Sequence, residues 1–258
     1  MFYYKELQFQ SNAVLHSEDL RESNNFPREL AKVFYKDYPD GILEGAEVYV
    51  RNGRLVIRPG IVKYKGLLYH SADEIAVDFQ ANGKQQYLRL RFWDKNIFPG
   101  VNQYETEMIV TDQKDQFPYE LELARFVSEN GADLLKKHET FADLFVTFNN
   151  LDFRNVVYSS RSGETLAPII TKTFAKGMLA RNPENMADMV FAQTCLQNNV
   201  IERDLVVGYV SNRLNREVTS QTTNLELCNM LKQILESAGG GREPVRGKAQ
   251  QDRRIIID

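Results

Sequence analysis

The chain has 258 residues and a formal net charge of −3, from 32 basic and 35 acidic residues, a length that suits one large domain or two small ones. The nearly balanced charge argues against a general electrostatic grip on nucleic acid. The sequence has no run of about 18 apolar residues that would predict a membrane span, and its first twelve residues lack the pattern of a secretory signal.

The order of patterns along the chain predicts an α+β fold. A short N-terminal helix comes first, a β-rich sandwich or small barrel follows, and a helical region and an extended tail complete the chain. The predicted boundaries are 1–40 for an N-terminal strand and helix, 41–138 for the β-rich module, 139–238 for the helical region and 239–258 for an extended C-terminal arm.

The N-terminal segment predicts one amphipathic helix. Pro27 suits the first helical position, and Leu30, Val33 and Phe34 follow with the i, i+3, i+4 spacing of one helix face. Asn24 or Asn25 can cap this helix. We expect the helix to stop near Tyr38, before Pro39.

A ribbon of short strands opens the β-rich module. Asn52–Gly53 lies between two β-branched runs and predicts a type I′ hairpin, because both central residues of that turn need a positive φ. Pro59–Gly60 predicts a second turn, in which proline presets φ and glycine supplies the positive φ. Gly66 predicts a third turn or a bulge. Alternating apolar residues predict a strand over 75–79.

Three longer strands are predicted after the ribbon, over 86–93, 104–110 and 119–127. Acidic residues alternate along the last two of them: Glu105, Glu107, Glu120 and Glu122. Paired carboxylates can flank a glycosidic bond, but a half-buried strand gives the same alternation without any catalytic role. Arg89 and Arg91 can pair with these glutamates as ordinary cross-strand neighbours.

The helical region carries several amphipathic segments of about 10–15 residues, which must pack on one another or on a partner. Thr140 is the expected cap of a short helix, and Asn182–Pro183 is an expected helix start. Further helices are predicted over 166–179, 201–214 and 223–235, the last ending at Gly239.

No motif in the sequence identifies an enzyme. His16, His70 and His138 have no paired spacing, and Cys-x-x-Cys is absent, so no metal site is predicted. Cys195 follows His138 in the order of some cysteine proteases, but it falls mid-helix on an apolar face, which favours core packing. Cys195 and Cys228 are expected to be reduced, buried thiols. We assign no catalytic, cofactor-binding or metal-binding residue, and predict no cofactor.

Two surfaces are candidates for contacts with other molecules. Trp93, Phe98 and Tyr104 are aromatic residues in predicted strands and loops, where they can stack on sugars or protein. The second surface is an assembly arm after the glycine-rich linker at 239–241, and its residues are Arg253, Arg254, Ile255, Ile256 and Ile257. Its isoleucines are costly to leave in water and can add a strand to a neighbour's sheet edge. The alternative is a disordered end.

The ribbon from Gly45 to Phe79 resembles the early β-region of bacteriophage tail and baseplate proteins. The matching residues are Gly45, Glu47, Val48, Leu55, Val56, Ile57, Pro59, Gly60, Val62, Gly66 and Leu67. The strand 121–125, followed by Asn130–Gly131, is similar to a second segment of such proteins. The resemblance also covers phage-tail-like bacteriocins and contractile injection systems, extends over about 85 residues, and brings no catalytic residue with it.

The resemblance implies a structural, non-enzymatic part of a phage tail or tail-like particle, in the baseplate or as a fibre-attachment adaptor. Its partners would be other tail or baseplate subunits, in a homo-oligomer or a symmetric hetero-assembly, with no nucleic acid. The location implied is the virion or particle, assembled in the bacterial cytoplasm. Two alternatives stay open: a carbohydrate- or cell-surface-binding module, and an enzyme whose site comes from residues far apart in the sequence.

Overall fold

The computed structural model describes residues 17–98, 101–135 and 137–238, with the backbone alone at 19, 22, 24, 94–98 and 101–103. The helices are α1 (Ser17–Phe34), α2 (Pro168–Leu179), α3 (Met186–Gln197), α4 (Arg203–Leu214) and α5 (Asn224–Ser237), with a 3₁₀ turn at Ala142–Phe145. The strands are β1 (Gly41–Gly45), β2 (Val48–Arg51), β3 (Arg54–Ile57), β4 (Gly60–Tyr64), β5 (Leu67–Ser71), β6 (Ile75–Val77), β7 (Gln85–Phe98), β8 (Val101–Thr111), β9 (Glu120–Val127), β10 (Asn150–Asp152), β11 (Tyr158–Ser160) and β12 (Gly163–Thr165). The predicted α+β class, with helices after the sheets, is confirmed.

The strands form three sheets. Their orders are β12-β11-β1-β4-β5, β10-β9-β7-β8 and β2-β3-β6. β1 runs parallel to β11, with Ile42 opposite Tyr158, so the start of the ribbon joins a sheet with strands more than 100 positions later. The sequence does not predict β10, β11 and β12, because strands of three residues are too short to show a period-2 pattern.

Two of the predicted turns are confirmed as hairpins. At Asn52–Gly53 the φ angles are 54° and 72°, and Arg51 pairs with Arg54 across the turn. At Lys65–Gly66 they are 47° and 73°, and the turn joins β4 to β5. Two consecutive positive φ angles are the signature of a type I′ turn, whose twist matches that of the flanking strands.

The positive φ predicted for Gly60 is wrong. Pro59–Gly60 does not reverse the chain, because it carries the backbone from β3 in one sheet into β4 in another. Gly60 pairs with Gly45, and a Cβ on Gly60 would lie 2.4 Å from the amide nitrogen of Ala46. Glycine is therefore needed at position 60 for a close backbone approach between strands.

Two predicted helix starts are wrong. α1 begins at Ser17, so Pro27 lies inside the helix rather than at its first position, and α1 ends at Phe34, short of Tyr38. A proline removes one helical hydrogen bond, and around Pro27 α1 is exposed, so water can reach the freed carbonyl. α3 is capped by Asn185, whose side chain accepts from the Ala187 amide at 2.8 Å.

The remaining predicted helix ends are those at Asn182, at Thr140 and at the two ends of α5. Asn182, the expected start of α3, has a φ of 48° just beyond the end of α2. The expected Thr140 cap is also replaced, because the 3₁₀ turn has Phe141 as its N-cap with no side-chain hydrogen bond. At α5, Thr223 and Glu226 form a reciprocal capping box, and Ala238 is the C-cap. The predicted cap Gly239 lies outside the described residues.

One contiguous apolar core joins the sheets to α2, α3, α4 and α5. Between α3 and α4, the rings of Phe191 and Tyr209 stack at 3.9 Å, and the Tyr209 hydroxyl donates to Asp188 at 2.8 Å. The Arg213 side chain reaches the same carboxylate at 2.5 Å. Cys195 and Cys228 are free, buried thiols within this core, as the sequence predicts.

The sheet of β7, β8 and β9 holds a buried ion pair. Arg89 and Glu120 are each 1% exposed and lie 3.1 Å apart, and Arg91 contacts the same carboxylate at 2.7 Å. Arg89 also donates to the carbonyl oxygens of residues 113–115, between β8 and β9. The predicted cross-strand pairing is confirmed, and it fixes the loop that leads into β9.

Candidate functional site

The most exposed apolar surface of the described chain lies on α1. We call Leu20, Phe26, Leu30, Val33 and Phe34 the α1 stripe. All five side chains are between 55% and 74% exposed. At 3.6 residues per turn they fall within an arc of about 140° on the helix surface. An amphipathic helix normally buries such a face, so the α1 stripe is a surface prepared for contact.

The base of α1 is fixed to the body by Lys63 of β4. The Lys63 side chain is 8% exposed, and its Nζ donates to the carbonyl oxygens of Tyr35, Lys36 and Tyr38 at 2.7, 3.3 and 2.5 Å. These carbonyls follow the helix C-terminus, where a cation also complements the helix dipole. No residue of α1 belongs to the described core, so the helix is held at its end and presents the stripe outward.

A second exposed surface is aromatic. The rings of Phe117 and Tyr119 stack at 5.2 Å with an interplanar angle of 2°, and Tyr119 lies 6.2 Å from Trp93. Arg91 lies over both Trp93 and Tyr119, at 5.6 and 6.0 Å from their ring centres. We call Trp93, Phe117 and Tyr119 the aromatic patch.

The structure does not bring the predicted contact residues together. Trp93 pairs with Glu105, the neighbour of Tyr104, so Trp93 and Tyr104 occupy opposite faces of the β7–β8 hairpin. Phe98 is the last residue of β7, and its side chain is not described. Sequence reasoning missed Phe117 and Tyr119, although their i, i+2 spacing next to a predicted strand was a usable signal. The arm residues 253–257 lie outside the described part of the chain.

Two of the four alternating glutamates form ion pairs with arginines. Glu120 is held by two arginines, and Glu122 pairs with Arg125 at 2.7 Å. Both carboxylates are therefore already engaged by guanidinium groups of the same sheet. Among the described residues, no three His, Cys, Asp or Glu side chains are placed to hold a metal ion.

The side chains of His138, Cys195 and Cys228 are buried. The Nε2 of His138 lies 2.9 Å from the carbonyl oxygen of Leu151, and burial lowers the pKa of the imidazole below its usual 6.5. Burial raises the pKa of Cys195 to about 12, so its thiol is not activated as a nucleophile.

A cavity of about 260 Å³ opens beside the start of α2, between the ribbon and β10–β11. We call it the α2 cavity. Its wall is mostly apolar, from Val48, Leu123, Phe153, Val156, Ala167 and Ile169. The charged residues that line it are Arg58, Lys137, Lys172 and Glu47. Cations therefore outnumber acids around an apolar space.

In the described part of the chain, no helix combines the length and apolarity that a membrane crossing requires.

No protein-family model matches the sequence, and no curated protein matches it. Among solved structures, a chain of the type VI secretion system TssK-TssF-TssG baseplate subcomplex, determined by cryo-electron microscopy, is 11% identical, with a TM-score of 0.41 over 92% of this chain and 100% of that one. A crystal structure of TssK is 8% identical, with a TM-score of 0.41 over 91% of this chain and 72% of that one. Similarity at this level establishes neither a shared family nor a shared function.

Proposed function

We propose that this protein is a structural, non-enzymatic subunit of a phage tail or a related contractile particle, in the baseplate or at a fibre-attachment point. It would act by protein–protein assembly, within a homo-oligomer or a symmetric hetero-assembly with other tail or baseplate subunits. Its location would be the particle, assembled in the bacterial cytoplasm. The resemblance of the ribbon to tail and baseplate proteins supports the class of particle.

The α1 stripe is the observation that carries the proposal. A helix anchored at one end by Lys63, with five apolar side chains exposed, is suited to pack against helices of neighbouring copies. Burying these side chains contributes on the order of 5–10 kcal/mol, before the cost of association is subtracted. That is enough for association when two or more copies contribute a stripe each. The C-terminal arm, with Arg253, Arg254 and Ile255–Ile257, would add a second contact to a neighbour.

The test is the mass in solution of the full chain beside a chain that begins at Lys36. The shorter chain keeps the described apolar core, which has no α1 residue. The proposal expects an oligomer for the full chain and a monomer for the shorter one. A monomer in both cases, over the full accessible concentration range, would argue against self-assembly through α1.

The aromatic patch favours one other candidate function, a carbohydrate-binding surface. Exposed rings of Trp93, Phe117 and Tyr119 can stack on sugar faces, and Arg91 supplies hydrogen-bond donors beside them. A glycan array with the full chain and a Trp93→Ala variant tests it. Binding by the full chain that the variant loses supports this function, and no binding to any glycan removes its basis.

A further inference from the structure

The α2 cavity has the chemistry to receive an apolar side chain next to a carboxylate. Its wall is apolar, and Arg58 and Lys137 at its edge are exposed cations. The N-cap of α2 is Ala167, which makes no side-chain hydrogen bond to the first helical N–H groups. A carboxylate at this helix start is favoured by the helix dipole as well as by the cations.

The C-terminal arm carries a segment of that chemistry. Ile255–Ile257 are three consecutive apolar residues, and Asp258 supplies a carboxylate directly after them. Two arginines precede the isoleucines, and Glu47 is the acidic residue among those that line the cavity. The segment therefore has opposite charges at its two ends, and the cavity edge offers a partner for each.

The position of α5 brings the arm within reach of the cavity. Leu235, near the end of α5, packs on Gly177, close to the end of α2, while the cavity lies at Pro168, where α2 begins. The nine residue steps from Pro168 to Gly177 span about 14 Å of helix. The 16 residue steps from position 239 to Ile255 can span up to about 53 Å when fully extended. The linker is therefore long enough for Ile255–Ile257 to reach the cavity of the same chain, which favours binding within one chain.

We propose that the α2 cavity is the docking site for Ile255–Ile257 of the same chain, with the Asp258 carboxylate held by Arg58 and Lys137. The contact occupies the cavity in the isolated subunit. Because every copy has the same cavity, an arm released from its own cavity can enter that of a neighbour. Such an exchange is a low-cost route to assembly, and it would link this contact to the arm's proposed role between subunits. The docking within one chain does not depend on the proposed assembly.

The test uses a fluorescein-labelled, amidated peptide of residues 250–258 and measures its binding by fluorescence anisotropy. The receptors are the full chain and a chain that ends at Ala238, the last residue packed on the described core. The peptide should bind the shorter chain, and should bind the full chain about ten-fold more weakly because the tethered arm competes at an effective concentration near the millimolar range. This block should be equally strong at the low and the high protein concentrations of the titration.

Three variants locate the binding. In the full chain, replacing Ile255, Ile256 and Ile257 by serine should restore peptide binding to the level of the shorter chain. In the shorter chain, Lys137→Glu should weaken binding several-fold, because it replaces an attracting charge by a repelling one. Ile169→Trp should abolish binding by filling the cavity. Arg216→Glu, the same charge change on an exposed residue that does not line the cavity, is the matched control.

Several outcomes would overturn the proposal. One is no peptide binding by the shorter chain, provided that its melting temperature matches that of the full chain. Another is equal binding by both chains, which would show that the arm leaves the cavity empty. A block that disappears on dilution would mean that the arm of another copy occupies the cavity. Binding that resists both Lys137→Glu and Ile169→Trp would place the peptide elsewhere. None of these outcomes depends on whether α1 associates.

Discussion

The Nζ of Lys63 donates a hydrogen bond of 2.7 Å to the carbonyl oxygen of Tyr35, from a side chain that is almost fully buried. The two residues are 28 positions apart, so the bond ties the end of α1 to β4. It connects the most exposed apolar helix of the described chain to one of its sheets. This ammonium group is therefore one of the contacts that hold the base of α1 on the body.

Replacing Lys63 by methionine should loosen the base of α1. The substitution keeps a long side chain but leaves the carbonyls of Tyr35, Lys36 and Tyr38 without their shared donor, at a cost of about 1–3 kcal/mol. Hydrogen exchange should become faster in residues 30–40, with little change in the helices α2 to α5. Lys84→Met, on an exposed lysine, is the matched control and should leave exchange unchanged. Unaltered exchange in the Lys63 variant would mean that the clamp does not hold α1.

Glu120→Ala should be strongly destabilising. It leaves the guanidinium of Arg89 buried without its counter-ion, which typically costs about 3–5 kcal/mol. Urea unfolding should show a lower midpoint at an unchanged m-value. The control is Glu74→Gln, which removes an ion pair with Arg51 in which both partners are exposed, and it should have little effect. Equal destabilisation by the two variants would contradict the importance of burial.

Stability should fall as the pH drops through the mid-sixes, in part because of His138. Burial lowers the pKa of this histidine in the folded state, against the attraction of Asp143 and Asp152, which raises it. Below pH 6.5 the unfolded chain therefore binds more protons than the folded one, and folding is disfavoured. This loss of stability is absent at pH 8 and grows as the pH falls, until the pH reaches the folded-state pKa of His138.

The measurement is urea unfolding at pH 7.5 and 5.5 for the protein and for His138→Gln. The loss of stability between these two pH values should be smaller in the variant, since glutamine does not titrate. His70→Gln, at an exposed histidine, is the control and should lose as much stability as the unchanged protein. An identical loss in His138→Gln would show that His138 has an ordinary pKa.

Both thiols should resist alkylation in the folded protein. Burial raises the pKa of Cys195 and of Cys228 to about 12, so at pH 8 almost no reactive thiolate forms. Iodoacetamide should modify neither residue without denaturant and both in concentrated urea, as measured by mass spectrometry. Rapid modification of Cys195 in the folded protein would revive a catalytic interpretation of that residue.

Local turn and helix signals predicted much of the fold. Asn52–Gly53 is a hairpin because two positive φ angles are required there, and that demand is visible in two neighbouring residues. The turn predicted at Gly60 is wrong because glycine is needed there for a close approach to the backbone of Ala46. No local sequence pattern shows such a contact. The helix start predicted at Pro27 is wrong because an exposed helix tolerates an internal proline that a buried helix would not.

The candidate site was predictable only in part. The spacing of Leu30, Val33 and Phe34 indicates an apolar helix face, but whether that face is covered depends on tertiary packing. Lys63 could not be identified, because a buried lysine and an exposed one look the same in a strand pattern. Trp93 is exposed, and its contact with Tyr119, which stacks on Phe117, becomes apparent only in the structure.

Association through the α1 stripe is tested by sedimentation equilibrium of the full chain beside a Leu30→Gln/Phe34→Gln variant. Both side chains are exposed, so the double variant should keep the melting temperature of the unchanged protein. Arg28→Gln/Lys32→Gln, on the same helix but outside the stripe, is the matched control. We expect an oligomer for the unchanged protein and the control, and a monomer for the stripe variant. An oligomer that survives the stripe substitutions, or an unchanged protein that stays monomeric at every concentration, would contradict it.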